Sequence, residues 1–201
     1  MDAQVTRVLD EYHARIAREE QLPFGAPGGG RDDRLLPVGP ETGQLINIIA
    51  RSLKAPTILE IGTSYGYSAI WLGEAARASG GRVITLELQD YKSAHAHEKA
   101  VEAGLADHVD YRVGDALDLI ERLETKVDFV LLDLWKDLYE PCFKALRPKL
   151  NPGAIIVADN MIYPGGEGIA QYARAVAQAP DFTSVLLPVG AGIEVSRYQP
   201  A

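Results

Sequence analysis

Thr57-Ile-Leu-Glu-Ile-Gly-Thr-Ser-Tyr-Gly-Tyr-Ser68 is a strand, a glycine loop and the first turn of a helix in one stretch. Glycine lets a backbone turn tightly and approach a ligand closely, so the break after Ile61 marks a connection, not a gap in the core. The alternation continues. Val83–Leu86, Val109–Val113, Val127–Leu132 and Ala154–Ala158 read as strands, with segments of helix length between them. Such alternation predicts a parallel sheet covered by helices on both faces. The runs 128–132 and 154–158 are almost unbroken apolar sequence, the pattern of strands buried on both sides. Thr183–Val189, a Gly190-Ala-Gly192 turn and Ile193–Tyr198 read as a terminal hairpin that adds an antiparallel strand. The expected fold is α/β and Rossmann-like, with a mostly parallel sheet of seven strands.

Upstream, Val5, Val8, Leu9, Tyr12 and Ile16 recur at helical spacing, and Leu45, Ile48, Ile49 and Leu53 predict a second amphipathic helix. Between them Gly25-Ala-Pro-Gly-Gly-Gly30 and Arg31-Asp-Asp-Arg34 predict a mobile surface loop over 22–37. Residues 1–37 are therefore expected to form an N-terminal helix and loop, and 38–201 the main domain.

The chain has 201 residues, 20 Lys+Arg against 28 Asp+Glu, and a net charge of −8. That length suits one domain. The acidic balance excludes a general nucleic-acid or anionic-membrane binder, because nothing would neutralise phosphates. One cysteine, Cys142, excludes an intrachain disulfide and reads as a small buried apolar residue. The histidines show no ligand spacing, and His95 and His97 read as solvated. Met1-Asp-Ala-Gln-Val-Thr-Arg7 holds no apolar run, and no stretch approaches ~18 apolar residues, so a cytoplasmic chain is expected.

In open α/β sheets, ligands bind outside the carboxyl ends of the strands. The first strand delivers Gly62-Thr-Ser64-Tyr-Gly66-Tyr67-Ser68, where Ser64 and Tyr67 replace two glycines of a dinucleotide fingerprint. The second ends in Glu87-Leu88, about 20 residues beyond the glycines, the place of an acid that accepts from ribose hydroxyls. The third is followed by Gly114-Asp115-Ala116, where an acid can reach an adenine amino group. Together these describe a nucleoside without a phosphate tail. S-adenosylmethionine fits, and NAD fits less well. The fourth and fifth strands deliver Asp133 and Asp159-Asn160. Neighbouring strands lie ~4.8 Å apart, so these oxygens can converge as an oxygen-only set of the kind Mg²⁺ takes.

These motifs together resemble the Mg²⁺-dependent class I S-adenosylmethionine O-methyltransferases, from about Val38-Gly-Pro-Glu-Thr-Gly-Gln44 to Tyr198. Asp133-Leu-Trp-Lys-Asp-Leu-Tyr139, Ala158-Asp-Asn-Met-Ile-Tyr-Pro-Gly165 and Gly192-Ile-Glu194 are similar to the catechol branch, more than to the caffeoyl-CoA branch. The resemblance implies that Asp133, Asp159 and Asn160 bind the metal, that Lys136 is the general base, and that Glu194 holds the hydroxyl that is not methylated. It implies Trp135 and Pro164 as walls for the aromatic ring, with Lys136, Asn160 and Glu194 also facing substrate. Cofactor contacts would come from Val38, Glu60, Gly62, Ser64, Gly66, Tyr67, Ser68, Glu87, Leu88, Asp115, Ala116, Asp133 and Trp135, with Val38 and Gly39 near the methionine end. Ala116-Leu117 and the 22–37 loop depart from the branch pattern.

The residue types suit that chemistry. A phenol with a pKa near ~10 is a weak nucleophile at neutral pH, and a dication bound by two adjacent oxygens stabilises the phenolate. Lys136 takes a proton only when its amine is neutral, which a nearby cation and burial favour. Loss of the sulfonium charge favours a dry wall of Trp135 and Pro164. The expected activity is methyl transfer to one hydroxyl of a small vicinal aromatic diol. The alternative acceptor is a caffeoyl-CoA-like or other hydroxylated metabolite. A dinucleotide oxidoreductase, a non-catalytic cofactor-binding module and a nucleic-acid methyltransferase fit less well. The family includes monomers and dimers, so a homodimer is allowed.

Overall fold

The structure, a computed structural model, describes residues 1–21 and 33–201. The expected loop at 22–37 therefore lies, over 22–32, outside the described residues. Helix α1 (Ala3–Glu20) opens with Asp2, whose carboxylate accepts from the N–H groups of Gln4 and Val5. An N-cap of this kind satisfies donors that the first turn leaves orphaned. Its Val5, Val8, Leu9 and Tyr12 are buried as the spacing requires. Helix α2 (Pro40–Arg51) corrects the expected face. Of the expected set only Ile48 is exposed; Leu45, Ile49 and Leu53, the last past the helix end, pack half-buried on the core, and the fully buried side is Thr42, Gly43, Ile46, Asn47 and Ala50. Asn47 is satisfied there by donating to Trp71 O at 2.8 Å and Glu74 Oε2 at 2.7 Å.

The remaining elements run β1 (Thr57–Ile61), α3 (Tyr67–Ser79), β2 (Arg82–Glu87), α4 (Asp90–Glu102), β3 (Val109–Val113), α5 (Ala116–Glu121), β4 (Val127–Leu132), α6 (Tyr139–Leu146), β5 (Leu150–Ala158), α7 (Glu167–Gln178), β6 (Phe182–Leu187) and β7 (Ile193–Tyr198). The seven strands form one sheet in the order β3-β2-β1-β4-β5-β7-β6. Strands β1 to β5 pair in parallel, and β7 enters antiparallel between β5 and the edge strand β6. Strand β5 begins earlier than the apolar run, at Leu150, across a register irregularity opposite Val127 and Phe129.

Alternation divides the core. Ile58, Val83, Phe129 and Leu131 face helices α1 to α4, while Leu59, Ile84, Val130 and Leu132 face α5 to α7. Helix α1 thus shares one apolar cluster with the sheet, so the N-terminal segment packs on the main domain. Among the described residues no helix is long and apolar enough to cross a membrane.

Two glycines separate local strain from close approach. At Gly62, φ is +105°, and a Cβ would lie 1.9 Å from Asp133 O, a backbone atom. At Gly80, φ is +74° and a Cβ would meet nothing within 4 Å. Gly80→Ala should cost only the left-handed penalty of about 1–2 kcal/mol. Gly62→Ala should cost more than about 3 kcal/mol, because β1 and β4 must also move apart. Denaturant unfolding of the two variants checks the difference.

Candidate active site

Three strands end side by side. Ile61, Leu132 and Ala158 are successive register neighbours on β1, β4 and β5, so Gly62, Asp133 and Asp159 leave the sheet together. The ladder extends one step beyond them. Asp133 N–H donates to Ile61 O at 3.0 Å and Asp159 N–H to Leu132 O at 3.1 Å. Strand β7 sets Glu194 opposite Ala158, buried.

The glycine loop is braced from β2. Gly62 and Thr63 donate their N–H groups to Leu86 O. Ser64 sits in the left-handed region at φ 47°, held by donation of its N–H to Glu87 Oε2 at 2.7 Å. Glu87 Oε1 accepts from Gln89 N–H at 3.0 Å. Gly66 is left-handed and caps α3, where a Cβ would fall 2.6 Å from Ala96 Cβ. Beneath the loop Glu60 is fully buried. The Thr85 hydroxyl donates to its Oε2 at 2.5 Å, while Oε1 has no partner. Burial pushes its carboxyl up to about 7, against the Ser68 and Thr85 hydroxyls nearby, which favour the charged form. A buried carboxyl with one orphaned oxygen is suited to a cationic ligand donor such as an ammonium.

The other predicted cofactor residues are placed unevenly. Val38 is buried just ahead of Gly39, Ser68 is buried in the first turn of α3, and Ala116 is half-buried at the start of α5. Leu88 is exposed beyond β2. Asp115 is exposed and caps α5, its Oδ1 accepting from Leu117 N–H at 2.9 Å and Asp118 N–H at 3.2 Å. The Tyr67 side chain does not reach the loop. Its ring packs edge-on to Tyr12 and Trp71, and its hydroxyl is bonded to His13 Nε2 at 2.9 Å. Partners from α1 thus engage both the ring and the hydroxyl.

On the other side of Asp133 lies a linked polar cluster. Lys136, in a single 3-10 turn, donates from Nζ to Asp133 Oδ1 at 2.9 Å and to the Tyr139 hydroxyl at 2.8 Å. Tyr139 donates onward to Asp159 O at 3.2 Å. Burial keeps the Tyr139 hydroxyl protonated well above its usual range, so it remains a donor. The Asp159 side chain is buried, and its Oδ1 has no partner. Burial, then the neighbouring charge of Asp133, pushes the Asp159 carboxyl up to about 7. Asn160 is left-handed at φ 58° and donates from Nδ2 to Tyr163 O at 3.2 Å, which leaves Oδ1 available to a cation. Among the described residues no three His, Cys, Asp or Glu side chains gather as a metal group. Asp133, Asp159 and the Asn160 amide would together make an oxygen-only set, of the kind that suits a hard cation with open positions.

The rim is apolar and open. Trp135 is 49% exposed, and Pro164, after a cis peptide bond, is exposed with Ile162 and Tyr163. The wall expected to be dry thus faces solvent on its outer side. The rim loop is nonetheless pinned: Met161 N–H donates to Gly192 O, and Ile162 and Tyr163 N–H both donate to Ala191 O. Tyr139 and Thr85 were missed as site residues. Tyr139 could have been found three residues after Lys136 within one motif, and Thr85 as the register partner of Glu60. Cys142 is buried, its thiol pushed up to about 12 by burial, and takes no part.

With this geometry in hand, similarity to known proteins adds the family. Residues 59–161 match a family model described as a methyltransferase domain. The chain is 35% identical over 172 residues to a catechol O-methyltransferase of Niastella koreensis, covering 82% of this chain and 77% of that protein. It is 36% identical over 163 residues to a catechol O-methyltransferase of Mycobacterium tuberculosis, covering 81% and 73%. Among solved structures, the O-methyltransferase TomG of Streptomyces achromogenes, in complex with SAM, superposes with a TM-score of 0.79 at 28% identity, covering 100% of this chain and 91% of that one. The strand order, the glycine loop and these relatives agree, and the chain belongs to the class I S-adenosylmethionine-dependent O-methyltransferases.

Proposed function

We propose that this enzyme moves the methyl group of S-adenosylmethionine to one hydroxyl of a small vicinal aromatic diol, with a divalent cation at Asp133, Asp159 and Asn160. The observation that carries the reading is the buried, unpartnered Asp159 Oδ1 beside Asp133, with Lys136 Nζ 2.9 Å from the same Asp133. An uncompensated buried carboxylate is costly, and a cation removes that cost. Relatives named catechol O-methyltransferase support the acceptor class.

S-adenosylmethionine, when bound, supplies an electrophilic methyl carbon on a sulfonium. A cation, when bound, supplies positive charge that favours the ionised form of a neighbouring hydroxyl. The protein does the rest. The unpartnered Glu60 Oε1 and the loop from Gly62 to Ser68 hold the cofactor. Lys136, in its neutral amine form, takes the proton of the reacting hydroxyl at Nζ and becomes the ammonium, and Tyr139, bonded to both Nζ and Asp159 O, fixes where that nitrogen stands. Glu194 accepts from the adjacent hydroxyl. Trp135 and Pro164 would flank the ring and set its plane, which orients the reacting hydroxyl toward the methyl donor.

Methyl transfer to a panel of catechols, followed by mass spectrometry, should appear with Mg²⁺ and vanish with EDTA. Product that is indifferent to EDTA would refute the metal assignment. Lys136→Ala should lower kcat by about 10²–10⁴-fold, the usual range for removing a general base, with cofactor affinity unchanged by calorimetry. Metal binding should depend on pH in a defined direction. Burial and the charge of Asp133 hold the Asp159 carboxyl above the ordinary carboxylate range, so on the acid side it holds a proton that a cation must displace, and Mg²⁺ affinity should rise with pH and then level off. Calorimetry in two buffers of different ionisation enthalpy should show proton release at pH 6, and Asp159→Asn should abolish it.

A further inference from the structure

Helix α1 carries an ion pair whose work lies outside the helix. Arg15 Nε donates to Glu19 Oε1 at 2.6 Å, one turn on. A terminal nitrogen of the same guanidinium donates to Asp33 O at 2.9 Å, and the guanidinium carbon stands 4.4 Å above the Tyr65 ring. Glu19 uses its second oxygen, Oε2, to accept from Leu35 N–H at 2.9 Å. Leu35 is buried, and its carbonyl accepts from the Ser64 hydroxyl at 3.3 Å. Tyr12, one turn before Arg15, donates its hydroxyl to Tyr65 O at 2.5 Å. Two side chains on one helix face thus grip both the 33–35 segment and the Ser64-Tyr65 corner of the glycine loop.

That corner needs support. Ser64 is a non-glycine residue in the left-handed region, and Leu36 is another, at φ 44°. Such conformations persist only where surroundings over-determine them. Glu87 holds Ser64 from the sheet side, and the Leu35 carbonyl, set by Glu19, holds it from above. From Leu35 the chain runs directly into Val38 and Gly39. We infer that Arg15 and Glu19 are positioning residues for the cofactor: they hold the 33–38 segment across the glycine loop so that the loop is already in its binding shape. The inference rests on the reading that S-adenosylmethionine lies on that loop. A loop ordered before binding loses less freedom on binding, so the effect falls on affinity and not on the transfer step.

The test is titration of S-adenosylmethionine into the wild type and into Arg15→Ala, Glu19→Ala, Glu19→Gln and Asp2→Ala. Asp2 caps the same helix and pairs with Arg77 at 2.6 Å, far along α1 from the grip, so Asp2→Ala reports simple loosening of the helix. Arg15→Ala and Glu19→Ala should bind about tenfold more weakly. Their KM for the cofactor should rise, while kcat at saturation and the acceptor KM stay put. Glu19→Gln keeps an oxygen for the Leu35 N–H and gives up the ion pair, so it should fall between. Asp2→Ala should lower Tm and leave affinity unchanged. Affinities within twofold of wild type in both alanine variants, with folded spectra, would overturn the inference. So would an equal loss in Asp2→Ala. A wild type that binds no S-adenosylmethionine would overturn the cofactor reading beneath it and the inference with it.

Discussion

The backbone at Gly62 runs so near β4 that a single methyl group would collide with the Asp133 carbonyl. That approach draws the ends of β1 and β4 together, and parallel pairing then carries β5 to the same level. Asp133 stands close enough to Glu60 and to Asp159 for its charge to raise the carboxyl of each. A bulkier residue would separate the cofactor side of the site from its acidic side. The glycine therefore serves the spacing between two half-sites as much as the turn it allows.

The site keeps groups that stability alone would not keep. Glu60 Oε1 and Asp159 Oδ1 are both buried without partners, and both carboxyls are held above the ordinary carboxylate range, chiefly by burial. Asn47, by contrast, finds a carbonyl and a carboxylate, and the Thr85 hydroxyl finds Glu60. Two buried carboxyls left in this state at the carboxyl end of one sheet mark a place shaped for a ligand.

Much of this was legible in the sequence, because apolar strands at a parallel switch point leave a strong pattern. The strand ends, the glycine loop and the places of Asp133 and Asp159 at strand ends follow from run length and order, while the adjacency of β4 and β5 is shown by the structure. The parts that were not legible share one cause, which is long-range partnering. The buried face of α2 uses Thr42, Gly43 and Asn47, which look polar or neutral until Trp71 and Glu74 are placed opposite them. Pro152-Gly153 resembles a strand breaker, yet β5 runs through it where the register against β4 shifts. Tyr67 sits inside the loop motif, but its ring belongs to α1.

Strand β7 is last in sequence but interior in the sheet, lodged between β5 and β6. During synthesis the early parallel strands can assemble as they emerge, since N-terminal parts fold first. The edge of β5 nevertheless waits for residues 193–198, with α7 and β6 already made. Glu194 arrives on that same strand. Closure of the sheet and completion of the acidic site are thus one event in time, so nascent chains short of it carry an open strand edge and an unfinished centre together.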